Sequence, residues 1–236
     1  MTGAPRAIGV YYADRRALPD EVVDTLVTDE DRQRLSPQMH ARRRAEYLAG
    51  RALLRYALAR YTARDAASFA LRVTSDGKPE CVDGPAISVS HSGDLVVCAV
   101  AEQGAVGIDV ETGQRHTSVA AIAQRYFTPA EARWLAAAPE ERFRMLWVLK
   151  EAYLKALGVG LAGGIDTLEC RIEPPAIVAQ VARGGAPPRL ALWAGQACYL
   201  GIAAAGAARC EIAFERWSPG DEPDAFGPLT FVARTE

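Results

Sequence analysis

The segment Gly107-Ile108-Asp109-Val110-Glu111 sets two acids into an otherwise apolar run, and this limits how the chain can fold. Strand side chains alternate with period two, so Asp109 and Glu111 point one way and Val106, Ile108 and Val110 the other. Like charges on one strand face repel, so that face invites a cation. Further along, Trp147-Val148-Leu149-Lys150-Glu151-Ala152-Tyr153-Leu154-Lys155 reads as a helix. There Glu151 and Lys155 are i,i+4 neighbours on the stripe of Trp147. Lys150 faces about 100° away and is open to either a structural or a ligand-contacting role. Asp109, Glu111 and Glu151 with one ammonium suit a hard divalent cation and a phosphate ester. Oxygen ligands hold Mg²⁺, with Mn²⁺ as the alternative, and a lysine neutralises a phosphate oxygen that the metal does not reach. Taken singly, each element is ordinary. Exposed acids are normal, and a helical i,i+4 pair on a surface contributes about 0.2–0.5 kcal/mol.

At 236 residues the chain can bury a sizeable core as one large domain or two smaller ones. Half of it is apolar, as in a globular protein. The net charge of −2 argues against nucleic-acid binding, which favours a basic surface. No apolar run reaches the ~20 residues of a membrane span, and nothing at the start reads as a signal peptide. A cytoplasmic location is therefore expected. The five cysteines (Cys81, Cys98, Cys170, Cys198, Cys210) form no C-x-x-C pair, and three histidines do not complete a zinc site. Cys98 and Cys198 read as small core residues.

Periodicity predicts a strand over Ala7–Tyr12, a long helix over Pro37–Tyr61 and a strand over Phe69–Val73 ended by the turn Ser75-Asp76-Gly77. Leu95–Ala101 and Ala105–Glu111 read as a hairpin about Gln103-Gly104. Thr128, Pro129 and Glu131 read as a capped helix start. A second long helix runs over Glu140–Leu157. Late strands are expected near Thr167–Ile172, Leu190–Ala194, Ala197–Ala203 and Cys210–Glu215. The Leu95–Glu111 and Ala197–Glu215 segments have similar lengths and a central glycine, a faint internal repeat.

Read in order, Gly77-Lys78-Pro79, Ser88-Val89-Ser90-His91-Ser92-Gly93, Gly107 to Glu111, Phe127-Thr128-Pro129-Ala130-Glu131 and Trp147 to Lys155 with Gly158-Val159-Gly160-Leu161 resemble one family. It is the 4′-phosphopantetheinyl transferases, of the longer monomeric type that modifies carrier proteins of peptide, polyketide and fatty-acid synthases. The resemblance covers roughly residues 40–161. It implies an α+β fold of two similar halves, residues 1–112 and 113–236, related by a pseudo-twofold with the active site in the cleft between them. The linker is expected near residues 111–118.

The resemblance also assigns roles. Asp109, Glu111 and Glu151 become ligands of Mg²⁺, and coenzyme A becomes the donor. His91, with Ser90, contacts a phosphate of coenzyme A. Lys78, presented by Gly77 and Pro79, contacts the same molecule. Nine arginines lie between Arg32 and Arg64, and a solvated helix face explains most of them. A subset is expected to hold the 3′-phosphate bidentately, with Arg51, Arg43 and Arg44 the candidates. His40 and His116 are expected on the surface.

The implied reaction moves the 4′-phosphopantetheine arm to a serine of an apo acyl or peptidyl carrier protein, releasing adenosine 3′,5′-bisphosphate. Lys155 stabilises the leaving phosphate. Glu151 is a candidate base, and whether it or water takes the serine proton stays open. Phe127, Trp134, Leu135 and Thr112–Ser118, with Arg115, Arg125 and Arg133, are expected to dock an acidic carrier. Two rival readings are a metal-dependent nuclease and a catalytically inactive carrier-binding module. The charge of −2 and the lack of aromatic-interleaved basic patches count against the first. The intact acids and Lys155 count against the second.

Overall fold

The computed structural model describes residues 7–113, 119–160, 163–182, 184–206, 211–220, 224 and 226–235. In chain order it forms β1 (Ile8–Asp14), the short helices α1 (Asp20–Leu26) and α2 (Asp29–Gln33), and the long α3 (Ala41–Thr62). A small hairpin β2 (Leu71–Val73) and β3 (Pro79–Cys81) follows, then β4 (Ala86–Ser92), β5 (Leu95–Ala101) and β6 (Ala105–Thr112). Next come α4 (Val119–Tyr126), α5 (Pro129–Leu135) and α6 (Pro139–Leu157). The chain continues with β7 (Leu168–Glu173), β8 (Ala176–Val181), β9 (Arg189–Ala194), β10 (Cys198–Ala205), β11 (Ile212–Arg216) and β12 (Thr230–Arg234). This is the mixed α+β class that the resemblance implies.

Two sheets carry the architecture, in the orders β11-β1-β5-β4 and β6-β10-β9-β12-β8-β7. Alternation sorts their faces. From β5, Val96, Cys98 and Val100 pack with the α3 residues Leu53, Leu54 and Leu58. The intervening Leu95, Val97 and Ala99 join Val106, Ile108 and Val110 of β6 and Leu200 and Ile202 of β10 in a core between the sheets. On the far side of the six-stranded sheet, α6 contributes Leu146, Leu149 and Tyr153 to a third core. The layers therefore run helix, sheet, sheet, helix.

The expected β5–β6 hairpin does not form. Strand β5 is buried along its whole length. Its two edges are taken by β1 and β4, both antiparallel. Gly104, at φ +78°, turns the chain into the other sheet, where β6 pairs with β10. The connection from β10 to β11 crosses in the opposite sense, since β11 pairs in parallel with β1. The two crossings touch: a Cβ on Gly104 would lie 2.3 Å from the Ala205 carbonyl oxygen, and one on Gly206 would lie 3.8 Å from the Gly104 Cα. The faint repeat thus corresponds to two adjacent glycine crossovers. Sheet membership does not follow the 112/113 division, because β6 lies in the six-stranded sheet and β11 returns to the four-stranded one.

Candidate active site

The site begins with a close approach. A Cβ on Gly107 would lie 1.9 Å from the Ala152 carbonyl oxygen and 2.5 Å from the Ala156 nitrogen. One on Gly201 would lie 2.6 Å from the Val148 oxygen. Glycine at both places lets the α6 backbone lie directly on β6 and β10. The α6 side of β6 carries Gly107, Asp109 and Glu111, since the alternate residues Val106, Ile108 and Val110 fill the core between the sheets. Lys155, one turn beyond Glu151, reaches this face. Its Nζ stands 2.6 Å from Asp109 Oδ1 and donates to the Ile108 carbonyl at 3.2 Å.

The segment Ser88-Val89-Ser90-His91-Ser92 supplies the second wall. Ser88, Ser90 and Ser92 share one face of β4 and reach β6 by side chain. The Ile108 N–H donates to Ser88 Oγ at 3.1 Å, and the Thr112 N–H donates to Ser92 Oγ at 2.9 Å. Between them Ser90 Oγ donates to Asp109 Oδ1 at 2.6 Å. The sheet edges are joined through hydroxyls, and the buried Asp109 carboxylate accepts from both Ser90 and Lys155.

The third wall is α3. Arg43, Glu46, Tyr47, Gly50 and Arg51 line a cavity of about 450 Å³ together with Asp76, Lys78, Pro79, Ser90, His91, Glu151 and Lys155. Arg43 Nη1 lies 2.7 Å from His91 Nε2. A guanidinium only donates, so Nε2 is the bare nitrogen and Nδ1 carries the proton. Nδ1 faces Glu46 Oε2 at 3.9 Å. Burial, helped by the Arg43 and Lys155 charges, holds the imidazole below its ordinary pKa against the opposing pull of Glu46 and Asp109. Burial likewise lowers Lys78, whose Nζ donates to the Ala156 carbonyl at 3.3 Å.

Behind this wall stands Asp31, an acid that the sequence reading passed over. Its Oδ1 lies 2.8 Å from Arg51 Nε and its Oδ2 2.8 Å from Arg55 Nε. Burial alone would raise its pKa, but the Arg55 hydrogen bond and the charges of Arg51 and Arg55 hold the carboxyl below the ordinary range. The signal was present as Thr28-x-x-Asp31, the capping box that starts α2.

Of the expected site residues, Arg51, Arg43, Lys78, Pro79, Ser90, His91, Glu151 and Lys155 line the one cavity. Asp109 lies one hydrogen bond behind Ser90 and Lys155. Glu111 lies two residues along β6, partly exposed. Arg44 sits on the exposed first turn of α3 and does not line the cavity. Among the described residues, no group of three or more His, Cys, Asp and Glu side chains converges closely enough to hold a metal ion. The positive charge on Asp109 comes from Lys155.

Lys150 is structural. It is fully buried, 2.9 Å from Glu131 Oε1, and donates to the carbonyls of Ile165 (3.1 Å) and Leu168. Glu131 also closes the α5 capping box with Thr128 and accepts from the Cys170 N–H at 2.9 Å. Phe127 and Leu135 are buried and do not form a docking surface, since Phe127 stacks on Phe143 at 5.5 Å. Trp147 stacks on the same Phe143 at 5.3 Å, in the core. Trp134 is partly exposed under Arg142, and Arg125 and Arg133 are exposed. His40 is exposed at the start of α3. Arg115, His116, Cys210 and most of the expected linker lie outside the described residues. Among the described residues no helix is long and apolar enough to cross a membrane.

Two family models match the chain: the 4′-phosphopantetheinyl transferase N-terminal domain over residues 31–101 and the 4′-phosphopantetheinyl transferase superfamily over residues 105–197. A 4′-phosphopantetheinyl transferase of Bacillus subtilis is 32% identical over 170 residues, covering 69% of this chain and 75% of the relative. The chain therefore belongs to the 4′-phosphopantetheinyl transferase superfamily. The transferase HetI of Nostoc sp. is 34% identical over 140 residues, 56% of this chain and 59% of its own. The L-aminoadipate-semialdehyde dehydrogenase-phosphopantetheinyl transferase of Xenopus laevis is 28% identical over 165 residues, 63% of this chain and 55% of its own. The chain thus spans less than two thirds of these last two relatives.

Proposed function

We propose that the chain transfers the 4′-phosphopantetheine arm of coenzyme A to a serine hydroxyl of an apo acyl or peptidyl carrier protein. The observation that carries this reading is the meeting of Lys78, Ser90, His91, Glu151 and Lys155, from separate motifs, around one cavity. The family membership supports the same reaction. The comparisons lend no support to a nuclease or to an inactive binding module.

Asp109, Glu111 and Glu151 are the residues that would hold Mg²⁺. Their hard oxygen donors suit the ion, and Gly107 brings the two elements that carry them into backbone contact. When bound, Mg²⁺ neutralises charge on the pyrophosphate of the donor. The chain's own groups do the rest. His91 with Arg43, together with Arg51 and Lys78, binds the phosphates and orients coenzyme A. The serine oxygen attacks the phosphorus that bears the pantetheine arm, and the bond from that phosphorus to the bridging oxygen breaks. Glu151, or water, takes the serine proton. Lys155 stabilises the leaving adenosine 3′,5′-bisphosphate as negative charge collects on it. In this reading residues 1–112 and 113–236 form two similar halves with the site in the cleft between them, and the paired glycine crossovers support such a pseudo-twofold. Trp134, Arg125 and Arg133 are the exposed remainder of the expected carrier-docking face.

The test is incubation with coenzyme A, Mg²⁺ and a purified apo carrier protein. The expected result is a carrier heavier by one phosphopantetheine, with adenosine 3′,5′-bisphosphate released in equal amount. An unmodified carrier across fatty-acid and peptide-synthase types would reject the reading.

A further inference from the structure

Hydroxyls hold the seam between the two sheets. Strands β4 and β6 are edge strands of different sheets, and among the described residues no backbone pairing joins them. They nevertheless run in step. Ser88 serves the Ile108 N–H and Ser92 the Thr112 N–H, each pair 20 residues apart in sequence. The same offset would give Ser90 to the Val110 N–H, but Ser90 turns to the Asp109 carboxylate instead. The middle hydroxyl thus goes to an acid, while the outer two hold backbone. A backbone N–H shut away from water is costly to leave unpaired, so these rungs fix where the acid strand lies.

The Ser92 rung is the one beside Glu111. Thr112 follows Glu111 directly, so the peptide plane that Ser92 Oγ holds at 2.9 Å is the one leading out of Glu111. Ser92 Oγ also lies 3.1 Å from Thr112 Oγ1. The next residue, Gly93, has φ +59°, and a Cβ there would lie 2.8 Å from the same Thr112 Oγ1. Serine followed by glycine therefore lets β4 close on this point. At Gly113 φ is +70° and the chain leaves the strand. Glu111 thus sits near a strand end, with β10 on one side and Ser92 on the other. Alternation puts His91 on the opposite face of β4, against Arg43 and the cavity. One strand therefore carries a donor contact and the hold on the acid strand.

On the reading given under Proposed function, we infer that Ser92 is a positioning residue for Glu111. Ser92 lies outside the cavity lining and acts through the peptide that orients the Glu111 carboxylate, not on the donor. Loss of an outer partner of a metal ligand typically changes metal affinity ten- to a hundredfold.

The experiment follows Mn²⁺ binding by electron paramagnetic resonance in wild type, Ser92→Ala and Ser92→Thr, with Mn²⁺ as the probe for the Mg²⁺ site. Calorimetry with adenosine 3′,5′-bisphosphate in the absence of metal runs alongside. Ser92→Ala is expected to bind Mn²⁺ roughly ten- to a hundredfold more weakly, while metal-free nucleotide binding stays at the wild-type level. A merely structural role would not move one without the other. Ser92→Thr keeps the hydroxyl and is expected to restore Mn²⁺ binding. Unchanged Mn²⁺ binding in Ser92→Ala, an equal loss of nucleotide, or no recovery in Ser92→Thr would each overturn the inference. So would a wild type that binds no Mn²⁺, and that result would take the metal assignment with it. A chain that showed the expected split yet modified no carrier would sink the transferase reading and leave the role of Ser92 standing.

Discussion

Lys155 Nζ lies 2.6 Å from Asp109 Oδ1, across the seam where α6 lies on β6. Lys150, on the same helix, is buried against Glu131 at 2.9 Å on the opposite, core-facing side. The two lysines of one motif therefore have separate duties, one facing the cavity and one tying α6 to α5 and β7.

Lys150→Ala should be a stability variant. It strands the Glu131 carboxylate in the core, and breaking a buried pair costs about 3–5 kcal/mol. For a chain of this size that lowers Tm by roughly 6–20 °C. Lys155→Ala should lower Tm less than Lys150→Ala, since Lys155 is partly exposed at the cavity, where water can replace it, and Asp109 keeps its hydrogen bond from Ser90. It should instead reduce kcat at least about a hundredfold. Calorimetric scans and transfer rates on both variants check the split, and a matching pattern for the two would refute it.

The contrast shows how far the sequence reached. The acids of β6 and the Glu151–Lys155 stripe were legible because strand and helix periods fix which side chains share a face. The side that Lys150 takes was not legible, because helix rotation against a sheet is set by packing. The hairpin reading of β5 and β6 followed the usual pairing of consecutive strands. It failed because a strand buried on both faces needed β1 and β4 as neighbours. Asp31 was overlooked because a capping acid looks local in sequence, and its partners Arg51 and Arg55 lie on another helix. Gly107 stood in plain view as part of a motif, but only the 1.9 Å approach to Ala152 explains it.

That approach makes Gly107→Ala a severe change. The added methyl would meet backbone, which has no rotamer to retreat to, so α6 must lift off β6. The expected cost exceeds about 4 kcal/mol, the range of exceptional substitutions. Gly50→Ala is the counterpart. Its Cβ would meet only Val89 Cγ2 at 3.7 Å, within a helix, so it should gain about 0.5–1 kcal/mol. Urea unfolding of the two variants should give shifts of opposite sign.

The Asp31 pair predicts a window of acid sensitivity. Its carboxyl has a folded pKa below its ordinary value of 3.8, so the unfolded chain takes up the proton first as pH falls. The contribution is complete above the unfolded value and is lost as pH drops through the folded one. Asp31→Asn should be less stable than wild type at neutral pH, with the gap closing below about pH 4. Denaturation midpoints taken across that range test the sign. A gap that widened on acidification would contradict the pairing.

Glu151→Gln separates two duties of one side chain. The amide keeps an oxygen donor, so a weakened metal site can persist, but it is a very poor base. Loss of a general base costs about 10²–10⁴-fold in rate, whereas loss of one charged ligand among several raises the Mg²⁺ requirement. The expected outcome is a rate that stays low at saturating Mg²⁺ while coenzyme A still binds by calorimetry. Recovery of the rate by excess Mg²⁺ would make Glu151 a ligand only and pass the base role to water or another group. A variant that failed to bind coenzyme A at any Mg²⁺ concentration would exclude both duties. It would point instead to Glu151 as a wall of the donor cavity, which it lines beside Lys155.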